Sequence, residues 1–417
     1  MFGAVVALVV GVVSAASAAG AVWNIASIGA PLTDSGVVIA VVDTGVDASH
    51  PAFGSRVLPQ IDVIGDAKGD PNGHGTHVAG TAAGASINCG EMTGGATAAV
   101  GVAPGAKILP VRVLDEEGEG TISGVAEGIR AAADRGAHVI NLSLGTDLNG
   151  LTGASGDLVD AIEYAWGKGS IPVLAAGNGG LVGGIFGSGY GDIDAVVVTA
   201  VDRRGSIASY ATDVGSAKWG IAAPGGAGNG KAADDVVSAY KGNNCGLLAG
   251  TSMAAPHVSG ALAILRARGL SPKQAVDRLL ATARPKSPKR TYGSGLLDLG
   301  AAAAGLGPKT SVTTTPPTTV TPPPPTTVPA TTAPSTTRQR ASSTTTAPPV
   351  DPSTTTTTAP TTTTAPPVPT TAEMAAGDLA VHADDDGSVP VPLAAGAAMA
   401  CVALWVVLGK NAARLRS

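Results

Sequence analysis

Between residues 36 and 201 the apolar positions fall into two alternating rhythms. Five short segments, Gly36–Asp43 (GVVIAVVD), Ala106–Asp115 (AKILPVRVLD), Ala137–Gly145 (AHVINLSLG), Ser170–Asn178 (SIPVLAAGN) and Asp194–Val201 (DAVVVTAV), are rich in β-branched residues and apolar at odd and even positions alike. A strand with one wet face would alternate, so these segments predict strands buried on both faces, as in a parallel sheet. Between them, Ile122–Gly136 and Gly156–Gly169 place their apolar residues at helical spacing and end on glycine, as helix C-termini do. Strand and helix taking turns predicts an α/β fold with a mainly parallel, doubly wound sheet flanked by helices. In such sheets ligands and catalytic groups gather outside the carboxyl ends of the strands.

The pattern breaks at both ends of the chain. Residues 1–18 form an apolar run ending in Ala16-Ser17-Ala18, an A-x-A pattern expected of a signal peptide, although no basic residue precedes it. An uncleaved anchor or a miscalled start codon is the alternative reading. Residues 309–371 are almost all Thr, Pro, Ala, Ser and Val, with too little apolar surface to fold and too much proline for helix or sheet, and are expected to form a disordered stalk. A short acidic juxtamembrane segment, 372–390, contains Asp384, Asp385 and Asp386. The uncharged apolar run that follows, 391–409, is near the lower length limit of a membrane helix, and Lys410, Arg414 and Arg416 come straight after it. The positive-inside rule then makes 410–417 a cytoplasmic tail and places the rest outside, which predicts a single-pass protein of the cell membrane.

Composition narrows the classes further. The net charge of −5, the scattered Lys and Arg, and an aromatic content of 3% offer no basic, aromatic-studded face, so nucleic acid is excluded as an expected partner. Of the three cysteines, Cys401 lies in the C-terminal apolar run. For an exported chain, Cys89 and Cys245 are open to two readings, a disulfide or two buried free thiols. No Cys/His spacing resembles a zinc site.

Three stretches carry candidate chemistry. Asp43 directly follows the apolar run VVIAVV, so a strand would deliver its carboxylate to the crevice edge; an isolated Asp in that place is otherwise an ordinary turn residue. Asp47 is expected to be solvated or capping. In NGHGTHVAGT, Asn72–Thr81, His74 opens a helix of small residues, where both ring nitrogens stay reachable and a general base can work. His77, one turn later, reads as a packed histidine. In GTSMAAPHVSG, Gly250–Gly260, Ser252 stands among small residues at the start of a helix, where positive partial charge favours a developing oxyanion; a plain helix cap is the bland alternative.

VVDTGVD, NGHGTHVAGT and GTSMAAPHVSG, in the order Asp, His, Ser, together resemble the subtilisin-like serine proteases, or subtilases, over about Trp23–Ala304. The resemblance implies a subtilisin-like three-layer sandwich over 23–306. It also implies roles: Asp43 as orienting carboxylate, His74 as general base and Ser252 as nucleophile, with His77 and His257 structural. AAGNGG resembles the oxyanion segment, assigning Asn178 and the Ser252 N–H as donors. NLSLG resembles the edge that pairs with extended substrate backbone, assigning Ser143, Leu144 and Gly145 to substrate binding. The family resemblance requires no cofactor for chemistry; structural calcium, to which Asn88–Thr93 could contribute, is an expectation without a legible ligand set.

Two features depart from secreted subtilases. Secreted subtilases usually carry a domain-sized propeptide, and only a few residues separate the expected signal from Trp23, which leaves two readings, a start placed too late or a protein that folds without a propeptide. The order of signal, protease, proline-rich linker and C-terminal membrane helix resembles the mycosins, the membrane-anchored subtilases of type VII secretion. The expected function is a membrane-tethered, extracytoplasmic serine endopeptidase acting on protein or peptide substrates through an acyl-enzyme. A mycosin-like processing protease is the alternative within the family, and a catalytically silent surface binding module the alternative outside it.

Overall fold

The computed structural model describes residues 22–307, except 35, 67–68, 145–155 and 180–190, together with 381–382. The expected signal peptide, stalk, membrane span and tail therefore lie outside the described residues, as does the juxtamembrane segment apart from 381–382. Among the described residues no helix is long and apolar enough to cross a membrane.

Strands β1 (Val38–Asp43), β2 (Ile61–Asp62), β3 (Lys107–Arg112), β4 (Val139–Leu142), β5 (Ile171–Ala175), β6 (Val196–Val201) and β7 (Trp219–Pro224) form one seven-stranded sheet in the order β7-β6-β5-β4-β1-β3-β2. Every pairing in it is parallel. The register runs from Val38 opposite Lys107 to Asp43 opposite Arg112 on one side of β1, and from Ile39 opposite Val139 to Val42 opposite Leu142 on the other. Later strands are added on both sides of β1, so the strand order reverses there. A crevice opens at its carboxyl end, and Asp43 stands at that end.

Among the described residues, five helices of ten residues or more lie on the sheet: α1 (His74–Ala83), α2 (Ile122–Asp134), α3 (Gly156–Gly167), α4 (Thr251–Ala267) and α5 (Pro272–Ala281). The predicted strand pattern explains the layering. Ile39 and Val41 join a core with Val78 and Ala79 of α1 and Val258 and Leu262 of α4, whereas Ala40 and Val42 join a second core with Val125 and Ile129 of α2 and Leu158 and Ile162 of α3. Each strand residue is thus buried against one helical layer or the other, and the result is three layers. Local signals set the helix starts. Thr121 Oγ1 accepts from Gly124 N at 3.0 Å ahead of α2, and Ser271 with Gln274 makes a reciprocal cap ahead of α5.

Helices α1 and α4 sit unusually close. A Cβ on Gly260 would lie 2.7 Å from the Ala82 carbonyl oxygen and 2.6 Å from Val102 Cβ, so only glycine permits α4 to cross α1 at this point. An antiparallel hairpin, β8 (Val236–Tyr240) and β9 (Asn244–Leu248), packs on α1 and lies outside the main sheet. Cys245 of β9 forms a disulfide with Cys89, which resolves the two readings of these cysteines in favour of the bond.

Candidate active site

The carboxyl edge of the parallel sheet gathers the candidate residues. Asp43 ends β1 fully buried, and its Oδ1 accepts from Thr44 N at 2.8 Å. His74, the first residue of α1, brings Nδ1 to 2.8 Å from the same oxygen. A carboxylate oxygen accepts, so Nδ1 carries the proton and Nε2 is left as the basic nitrogen of the neutral ring. The His74 side chain is 12% exposed against 0% for Asp43, so the ring sits between the buried carboxylate and the crevice.

Behind this pair lies a residue that motif reading missed. The buried carboxylate of Asp70 accepts four hydrogen bonds: at Oδ1 from Thr44 Oγ1 (2.8 Å) and Gly73 N (2.7 Å), and at Oδ2 from Thr76 N (2.8 Å) and Thr76 Oγ1 (2.5 Å). Thr44 Oγ1 in turn accepts from Gly75 N at 3.0 Å, and Thr76 Oγ1 from Asp47 N at 2.8 Å. Asp70 therefore stitches the turn after β1 to the first turn of α1, holding Asp43 and His74 in one frame. An acidic residue four places before a helix-opening histidine is a legible capping signal, and it was the available clue.

Ser252 lies in the first turn of α4 and is 7% exposed. Asn178, three residues beyond the end of β5, accepts from Thr251 N at 2.9 Å and Thr251 Oγ1 at 3.0 Å, both at Oδ1. With Oδ1 so engaged, the amide orientation is set and Nδ2 takes the other side. A Cβ built on Gly250 would lie 3.4 Å from Asn178 Nδ2 and 3.6 Å from Ser252 N. The two predicted donors thus flank one small space, which Gly250 keeps clear by having no side chain.

The substrate-edge residues divide. Leu144 is buried, and Gly145 lies outside the described residues. Ser143 is fully buried, and its hydroxyl donates to the Ser252 carbonyl at 2.7 Å. Its side chain therefore faces helix α4, a contact that the NLSLG motif did not announce.

The two remaining motif histidines are fully buried. His77 donates from Nε2 to the Val236 carbonyl at 3.1 Å, and burial, helped by the neighbouring charge of His74, pushes its pKa down to about 3. His257 donates from Nδ1 to the Met253 carbonyl at 2.8 Å and accepts from Asn24 Nδ2 at 2.9 Å, and burial pushes it down to about 4. Both are neutral packing groups at neutral pH. Asn24 was not singled out in the sequence; it belongs to a one-turn helix, Trp23–Ala26, that docks against α4. In the loop expected to help hold calcium, Asn88 is bonded to its own loop, donating to Gly95 O at 3.1 Å and accepting from Gly90 N at 2.9 Å. Among the described residues no group of three or more His, Cys, Asp or Glu stands together as a metal site.

A serine at a helix N-terminus, an imidazole on the adjoining helix oriented by a buried carboxylate at a strand end, and two N–H donors around a common space form a set suited to acyl transfer. Comparison with known proteins agrees. A family model described as "Subtilase family" matches residues 34–295. The chain is 42% identical over 251 residues to the thermophilic serine proteinase of Bacillus sp. (strain AK1), covering 58% of this chain and 56% of that protein, so it spans little more than half of that relative. It is 41% identical to thermitase of Thermoactinomyces vulgaris, covering 60% of this chain and 79% of the relative. It is 36% identical to subtilisin BL of Lederbergia lenta, covering 67% and 97%. Among solved structures, a cold adapted subtilisin-like serine proteinase matches with a TM-score of 0.52 at 28% identity, over 67% of this chain and 97% of that one.

Proposed function

The chain belongs to the subtilase family of serine proteases, and from that premise we propose that it is an endopeptidase with Ser252 as nucleophile, His74 as general base and Asp43 as the carboxylate that orients it. Ser252 Oγ attacks the scissile carbonyl carbon while its proton passes to His74 Nε2. The imidazolium so formed keeps its Nδ1–H on Asp43, and the carbonyl oxygen, now negative, accepts from Asn178 Nδ2–H and Ser252 N–H. Collapse breaks the C–N bond as His74 returns the proton to the departing amine. Water, deprotonated by the same nitrogen, then releases the acyl group and restores the Ser252 hydroxyl. The observation that carries this reading is the 2.8 Å bond from His74 Nδ1 to the buried Asp43, which orients the ring and leaves Nε2 as the base.

A fluorophosphonate probe should label the protein, and Ser252→Ala should abolish labelling and lower kcat on the order of 10⁶-fold, the scale the same change has in subtilisin. Labelling that persists in Ser252→Ala rejects the assignment. The uncharged run 391–409 followed by Lys410, Arg414 and Arg416 supports a tethered, extracytoplasmic enzyme. The mycosin-like layout rests on the order of those segments alone. Retention in the membrane fraction through an alkaline carbonate wash is the expected result for the tether, and release contradicts it.

A further inference from the structure

Helix α4 contains Pro256, four residues after Ser252. In an α-helix the carbonyl of residue i accepts from the N–H of residue i+4, and proline has no N–H and crowds that same carbonyl with its ring. The carbonyl deprived in this way belongs to Ser252. It lies in a buried turn, where a polar group left without a partner is costly.

A hydroxyl from another element reaches that carbonyl. Ser143 Oγ stands 2.7 Å from Ser252 O. A carbonyl can only accept, so the Ser143 proton is committed to it, and Ser143 Oγ in turn accepts from Asn141 Nδ2 at 2.8 Å. With its amide committed, Asn141 accepts at Oδ1 from Ser259 Oγ, also at 2.8 Å. The three side chains are fully buried, and every proton in the chain Ser259, Asn141, Ser143 points toward Ser252 O. Asn141 is the polar member of VINL, in the middle of a strand buried on both faces, a place where an asparagine stands only if its hydrogen bonds are met.

Taking Ser252 as the nucleophile, we propose that Ser143 is a positioning residue whose hydroxyl replaces the N–H that Pro256 lacks. The bond fixes the peptide plane after Ser252 and, through it, the direction in which the Ser252 side chain leaves the main chain. Asn141 and Ser259 hold the Ser143 hydroxyl in its donating orientation. The substrate edge that begins at Ser143 is thereby joined to the nucleophile through one side chain.

The test compares peptide hydrolysis and fluorophosphonate labelling rates of the full chain with those of Ser143→Ala, Pro256→Ala, the double variant and Ser143→Cys, with thermal unfolding recorded for each. Ser143→Ala should lower kcat about 10- to 100-fold, the scale expected of a misplaced reacting group, with KM within about twofold. Pro256→Ala supplies an N–H to Ser252 O, so the double variant should recover kcat to within about threefold of wild type. A role confined to stability would not give that recovery. Ser143→Cys, a weaker donor of similar shape, should fall between serine and alanine and decides the matter if Pro256→Ala proves inactive by itself. Equal kcat in Ser143→Ala and wild type overturns the proposal, as does a double variant no faster than Ser143→Ala while Pro256→Ala alone is fully active. Ser252→Ala separates the two layers: activity surviving in it defeats the reading of the nucleophile itself, whereas its loss alongside unimpaired Ser143 variants defeats only the positioning role.

Discussion

Helices α1 and α4 both start after a glycine that lends no side-chain cap, both carry a candidate catalytic residue in their first turn, and yet their N-termini are met by opposite chemistry. At α1 the partner is a full negative charge: Asp70 takes the Gly73 and Thr76 amides. At α4 it is a neutral amide: Asn178 takes the Thr251 amide. A helix N-terminus presents positive partial charge. Neutralising it beside His74 suits a ring that becomes a cation in the proposed mechanism. Leaving it uncompensated beside Ser252 suits the anion that the proposed mechanism forms there. Each helix also carries a second histidine further along, His77 and His257, kept neutral by burial. The difference between the two helix ends is therefore a difference in charge placed where the proposed mechanism develops opposite charges.

Each half of that comparison can be broken. Asn178→Ala removes a donor from the α4 end and should lower kcat on the order of 10² to 10³, the range known for subtilisin's own oxyanion asparagine, with little change in KM; a kcat within twofold of wild type would remove Asn178 from the site. Asp70→Asn removes the charge from the α1 end and turns an NH₂ group toward donors it cannot pair with. Unfolding stability should fall by about 2 kcal/mol, and the lower limb of the kcat/KM pH profile should move to lower pH, because a nearby negative charge no longer favours the His74 cation. An unmoved pH profile would confine Asp70 to a structural role.

The smallest effect at neutral pH concerns His257. Its folded pKa of about 4 lies below the usual 6.5, so above pH 6.5 neither the folded nor the unfolded state binds the proton. As pH falls from 6.5 toward 4 the unfolded chain takes up a proton that the folded chain refuses, and stability is lost through that window. His257→Gln should therefore show a shallower decline of melting temperature across pH 6.5 to 4. His77, pushed to about 3, extends the remaining decline to lower pH.

Much of the frame could be read in advance because its determinants are local. The five predicted strands all form, as β1, β3, β4, β5 and β6, with ends trimmed by a few residues, and both predicted helices form as α2 and α3. Strand β7, Trp219–Pro224, has the sequence WGIAAP, whose glycine, alanines and proline carry no strand signal. It exists because β6 offers it an edge, in register from Trp219 opposite Val196 to Pro224 opposite Val201. Within the site, Asp43, His74, Ser252 and Asn178 sit in short motifs and could be named. Asp70 offered only a capping signal ahead of His74, and Asn141 and Ser259, although they lie in NLSLG and GTSMAAPHVSG, look like common polar residues until their partners are known. For Ser259 that partner is Asn141, 118 positions away in the chain.

What the sequence by itself determined was the set of parts: two-sided apolar strands that demand a covered parallel sheet, helix starts built around His74 and Ser252, and small residues beside both. What only the tertiary structure decided was which groups meet. The Asp43 and His74 pair, the Ser143 hydroxyl on a carbonyl orphaned by Pro256, and the bond between Cys89 and Cys245 depend on the crossing of elements far apart in the chain. Periodicity and capping are properties of a few neighbouring residues and can be read from them, whereas a hydrogen bond between distant side chains exists only once the packed sheet and helices have set the distance.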